Sequence, residues 1–143
     1  MSPPSSPFVS VARALGRDQR GIIVSSIVKI VLSLAVVGLL AIEAGTILFT
    51  RLTIQDTAER VAAVAADSYD DSQSVEVARK ATVDALEFQD ADAKLKRFVV
   101  NPADGTVRVV IRKHANTLLA DKIGFLKDLT VATGDAVGHP PEV

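Results

Sequence analysis

The chain has 143 residues, enough for one small domain, with 16 basic against 17 acidic residues and a net charge of −1. That balance, with no basic stripe, argues against nucleic-acid binding, and the lack of any Cys excludes disulfides, thiolate metal sites and cysteine nucleophiles. Hydrophobic residues make up 48% of the chain, and they crowd into one block near the start.

Residues 1–10, MSPPSSPFVS, are rich in Pro and Ser and are predicted to be disordered. Val11 to Arg20 has room for one or two helical turns, giving a basic arm over residues 1–20. The apolar block follows, GIIVSSIVKIVLSLAVVGLLAIEAGTILFT from Gly21 to Thr50, and Lys29 and Glu43 are its only charges. As a helix it would be about 45 Å long, against about 30 Å for the hydrocarbon core of a bilayer. Ile30 to Ile42 alone is too short to cross. Extending past Glu43 to Thr50, or back past a snorkelling Lys29 to Gly21, makes a span. A transmembrane helix over 21–50 is therefore predicted. A buried soluble helix of this length and hydrophobicity is disfavoured. A cleaved signal would need a shorter apolar run and a polar region after it.

The flanks predict orientation. Arg13, Arg17 and Arg20 precede the span, with Asp18 the only acidic residue among the first 20. After it, residues 52–70 carry Arg60 against Asp56, Glu59, Asp67 and Asp70. The positive-inside rule puts the N-terminus in the cytoplasm and the C-terminal part outside, with Lys29 near the inner boundary.

Beyond Thr50 helical spacing continues. Leu52, Ile54, Ala58, Val61, Ala62 and Ala65 fall near one stripe, so an Ala-rich extension over 51–71 is expected, ending at the DSYDD of Asp67 to Asp71. A small α+β domain over 72–138 is expected next. Ser74 is the candidate cap of a second helix to about Glu87. LKRFVV (Leu95 to Val100) and TVRVVIRK (Thr106 to Lys113) flank the turn residues of NPADG, which signals a hairpin. Thr117 to Phe125 reads as a short helix, Leu129 to Gly138 as a third strand, and residues 139–143 as a tail. The fold class is α+β: a single N-terminal transmembrane helix, its long amphipathic extension, then a second helix and about three β-strands.

No nucleophile elbow, phosphate loop, dinucleotide fingerprint or zinc-helix motif is present, so no enzyme, metal or cofactor is expected. His114 and His139 read as surface residues, and Ser25, Ser26 and Ser33 as back-bonded to their own helix. Glu43 is the informative charge, because an acidic group in an apolar helix is costly. Either the bilayer ends near Ile42 and Glu43 lies at the headgroups, or Glu43 is inside and pairs with a partner. Lys29 shares its helix face but is about 21 Å away along the axis, so that pair needs a staggered second chain. Small residues surround Glu43: Gly38, Ala41, Ala44 and Gly45, continued outside by Ala62 and Ala66. Such a face allows close helix–helix approach.

Taken in order, these motifs resemble the TadE/TadG-like proteins of bacterial tight-adherence (Flp-type) pilus systems. The resemblance rests on GRDQRG (Gly16 to Gly21) before the apolar block and on AIEAG (Ala41 to Gly45) late in it. QDTAERVAAVAAD (Gln55 to Asp67) and VRVVIRKHANTLLADKIGFLKDLTVATGDAV (Val107 to Val137) complete it. It implies a membrane-anchored structural or assembly component of the cell envelope. The partners would be the lipid bilayer and other envelope proteins, or itself, through the small-residue face. Pseudopilins of the family are cut after a Gly and carry a Glu five residues later; here Ser26 stands at that place after Gly21. The alternative is a stand-alone anchored module for binding or sensing outside the cell.

Overall fold

A computed structural model of the chain describes residues 8–142, with side chains from residue 21 onward. Of residues 1–10, expected to be disordered, 1–7 lie outside the described residues, as do the side chains of Arg13, Arg17 and Arg20, whereas Phe8 to Ser10 are helical. The fold is α+β: α1 (Phe8–Ser72), α2 (Val75–Gln89), then β1 (Lys94–Asn101), β2 (Thr106–His114) and β3 (Val131–Gly138), which form one antiparallel sheet in the order β1-β2-β3. The chain divides into two compact units, residues 1–41 and 42–143.

In the first unit, no residue from 21 to 41 is buried. Large apolar side chains point outward all round the helix, Ile22, Val28, Leu34 and Val37 among them. An apolar surface on every side is the mark of a helix made for an apolar surrounding. It is long and apolar enough to cross a membrane.

In the second unit one stripe of α1 becomes a core. Ile54, Ala58, Val61, Ala62, Ala65, Ala66 and Tyr69 are buried, and Val107, Val109 and Ile111 of β2 and Ala132 and Ala136 of β3 complete the same cluster. Alternation along β2 and β3 supplies the sheet's inner face, as period-2 spacing demands. Burying Ala yields little per residue at about 25 cal/mol per Å², so cohesion here depends on close approach. β3 provides it with Gly134 and Gly138 on its inner face. A Cβ on Gly134 would run into the Ile54 carbonyl oxygen and come within 2.9 Å of the Ala58 Cβ. A Cβ on Gly138 would run into the carbonyl oxygen of Ala62. The strand thus lies almost on the helix backbone.

Three expectations change. The helix does not stop at Asp67, because Tyr69, 8% exposed, continues the core stripe and extends α1 to Ser72. Gln73 then turns the chain with φ of 51°, its N–H donating to the Tyr69 carbonyl, and Ser74 caps α2 by accepting from the Val77 N–H. The buried stripe of the 51–71 stretch packs in one core with the sheet. Leu52, placed on the inward stripe by sequence, is 62% exposed. The predicted Thr117–Phe125 helix is reduced to a single 3₁₀ turn, Ala120–Lys122; a second turn, Lys127–Thr130, follows it and takes the first two residues of the strand expected from Leu129, so that β3 starts at Val131.

Candidate functional site

The core-facing stripe of α1 can be followed backwards at helical spacing: Tyr69, Ala65, Val61, Ala58, Ile54, Thr50 and then Glu43. Thr50 and Glu43 are 8% and 7% exposed, whereas their neighbours Ala44, Gly45, Leu48 and Phe49 are open. From residue 21 onward, Glu43 is the first buried residue on the helix. Its cover is the loop between β2 and β3.

Three consecutive backbone N–H groups of that loop donate to the Glu43 carboxyl. Leu118 and Leu119 donate to Oε1 at 2.5 and 3.1 Å, and Ala120 donates to Oε2 at 3.3 Å. These are the N–H groups that open the first 3₁₀ turn and have no partner within it. A carboxyl group at such a turn start meets both the donors and the positive end of the local peptide dipoles. The loop is closed at its base by the Ala115 N–H donating to the Thr130 carbonyl at 2.6 Å. It is also held by Arg51, whose Nη2 donates to the Leu129 carbonyl at 3.4 Å. The loop therefore runs beside α1 from Glu43 to Arg51, clamped at both ends.

The sequence-predicted packing residues separate into two groups. Gly38, Ala41, Ala44 and Gly45 are exposed, and nothing lies within 4 Å of a Cβ built on Gly38 or Gly45. Ala62 and Ala66 are completely buried under the chain's own sheet. Ala62 lies directly under β3 at Gly138, and Ala66 belongs to the same core cluster. Glu43 likewise has its partners within its own chain, so neither a staggered Lys29 nor bulk water is required to satisfy it. Lys29 itself is exposed; its carbonyl accepts from the Ser33 hydroxyl at 2.8 Å, the back-bonding expected of Ser33.

Two further polar features were not singled out by the sequence. Lys113 Nζ reaches both oxygens of Asp90, at 2.8 and 2.7 Å, and ties the end of α2 to the end of β2. Gln55 donates to the Asp135 carbonyl at 3.2 Å and accepts from the Asp135 N–H at 3.3 Å. Its side-chain amide thus acts as a short piece of neighbouring strand and occupies the free edge of β3. Opposite charge at 23 residues' separation, or an amide across 80, leaves no periodic signal in the sequence.

The outer sheet face carries a polar groove lined by Lys96, Arg97, Val110, Arg112, Asp128, Thr133 and Asp135. Beside it Arg108 forms a forked, solvent-exposed pair with Asp135, Nε to Oδ1 at 2.9 Å. The hydrogen bonds from Arg108, and then its charge, hold the Asp135 carboxyl below the usual carboxylate value. In the hairpin turn the Thr106 hydroxyl and N–H do the same for Asp104. His114 and His139 are both exposed. Among the described residues no three His, Cys, Asp or Glu side chains are grouped to hold a metal ion. Compared with known proteins, the chain matches no family model, no curated protein and no solved structure.

Proposed function

We propose that this is a membrane-anchored, non-catalytic assembly component of a bacterial cell envelope, of the TadE/TadG-like kind its motifs resemble. The apolar helix would cross the membrane once. The N-terminus would be cytoplasmic and the domain from Ile42 onward would lie outside. One observation carries this reading. No residue from 21 to 41 is buried, the small residues Gly38, Ala41, Ala44 and Gly45 are exposed, and among the described residues nothing lies within 4 Å of a Cβ built on Gly38 or Gly45. In lipid, close backbone approach through such residues supplies much of helix association.

Crosslinking in membranes tests the reading. The unaltered chain should give complexes, and Gly45→Leu, equally compatible with lipid, should lose them. In the same membranes a Ser74→Cys chain should react with an impermeant thiol reagent in intact cells. Unchanged or absent complexes would make the span an anchor only. The alternative, a stand-alone anchored binding module, would then rest on the groove of Lys96, Arg97 and Arg112.

A further inference from the structure

We propose that the loop from Leu118 to Leu129 is a second membrane-contacting element, lying in the lipid interface beside the helix to which Glu43 ties it. This deepens the anchored reading and rests on it. The loop presents Leu118 at 67%, Phe125 at 80% and Leu129 at 47% exposure, with Leu119 and Ile123 also open. Five exposed large apolar side chains within twelve residues are a dense run, of the kind that marks a contact surface when the side chains share a face.

What covers these side chains follows from where the loop is tied. The hydrogen bonds to Glu43 and Arg51 fix it against residues 43–51 of α1. That part of the helix follows directly on the uncharged run Ile30 to Ile42, which is too short to cross about 30 Å of hydrocarbon unaided. Its other sides expose Leu48 at 60%, Phe49 at 70% and Leu52 at 62%. Within the second unit, the loop and the stretch of helix it is tied to therefore both present large apolar side chains. That stretch has an acidic residue in it, and the loop removes the objection to that residue. Three backbone N–H groups satisfy the Glu43 carboxyl, so it reaches the bilayer boundary without exposing unpaired oxygens to lipid. In return the carboxyl satisfies the N–H groups that the loop would otherwise bring unpaired to the interface.

The charges of the loop identify the kind of surface. Asp121 stands beside Lys122, and Lys127 beside Asp128. The loop has no net charge, so contact is apolar and does not depend on anionic lipid. An interfacial segment of this kind lies about 5–10 Å into the headgroup and acyl boundary. Side chains at that depth meet the upper acyl carbons and not the bilayer centre.

The chain contains no Trp, so a single substitution gives a clean reporter in the full-length protein. Phe125→Trp, Leu34→Trp and Val99→Trp chains are reconstituted separately in phosphatidylcholine vesicles. The acyl chains carry bromine at either a shallow or a deep position. Phe125→Trp should be quenched by shallow bromine at least about twofold more than by deep bromine, and raised salt should leave this unchanged. Leu34→Trp reports the span, and Val99→Trp, on the exposed outer sheet face, sets the unquenched baseline. Quenching at Leu34→Trp without quenching at Phe125→Trp overturns the loop contact and leaves the span standing. Quenching at Phe125→Trp alone upholds the loop contact and overturns the span; quenching at neither overturns both. Blue-shifted but unquenched emission from Phe125→Trp would place the side chain against another protein, which also overturns the proposal.

Discussion

Glu43 shows how one residue can carry two opposed readings until its neighbours in space are known. As a sequence position it is a charge at the end of an apolar run, and water or a foreign cation looks necessary. In the folded chain three amide donors from 75 to 77 residues away do that work. Leaving buried donors unpaired costs about 1–3 kcal/mol, so Glu43→Ala should release the loop more than it unfolds the domain. The expected result is loss of hydrogen-exchange protection at Leu118, Leu119 and Ala120, with faster tryptic cleavage after Lys122. Glu43→Gln, which keeps one acceptor oxygen, should lie between. Equal protection in all three chains would mean that Arg51 and the Ala115–Thr130 closure hold the loop without Glu43.

At the scale of elements, the controlling contact is β3 on α1. Sheets and helices ordinarily meet through side chains about 10 Å apart, and here glycines remove that spacing at two positions. Gly138→Ala would put a methyl group into the Ala62 carbonyl and within 3.0 Å of the Ala63 nitrogen. Both are backbone atoms that cannot rotate away, so a loss of about 1–3 kcal/mol or more is expected, the cost of overpacking a tight core. Gly124→Ala is the contrast, because nothing lies within 4 Å of its added methyl. Urea unfolding of the solubilised protein should separate the two, with a lower midpoint for Gly138→Ala alone. Equal midpoints would show that the strand can shift off the helix at no cost. Ile54, Ala58 and Ala62 are thus the helix half of a helix–strand seam, and Gly134 and Gly138 are the strand half. The free edge of β1 is managed differently, by exposed Lys94 and Lys96 and by a bulge between Leu95 and Arg97.

Across the whole molecule, the core and the apolar run belong to different units. Every buried core residue lies between Ile54 and Ala136, and the division between units falls after Ala41. A fragment of residues 42–142 should therefore fold in mild detergent without the run before it. Cooperative urea unfolding with a slope of about 1–2 kcal/mol/M is expected for its size, with β-sheet signal lost in the same transition as helix. A gradual, non-cooperative loss would show that the domain needs residues 21–41 to fold.

The sequence by itself determined the elements whose cause is local. The apolar block is visible because 13 residues in a row avoid charge, the Ser74 cap because its side chain bonds three residues on, and the hairpin because Asn101, Pro102, Asp104 and Gly105 make a turn. Period 2 and period 3.6 are properties of neighbours along the chain and survive in a single sequence. The tertiary structure alone decided what the small residues and the lone acid are for. Ala62 and Gly138 are 76 positions apart, and neither shows that it is cut to fit the other. Nothing near Leu118 to Ala120 in the sequence shows that their N–H groups meet Glu43. A long-range contact depends on shape and on unpaired donors and acceptors, and these exist only once the chain has brought its surfaces together.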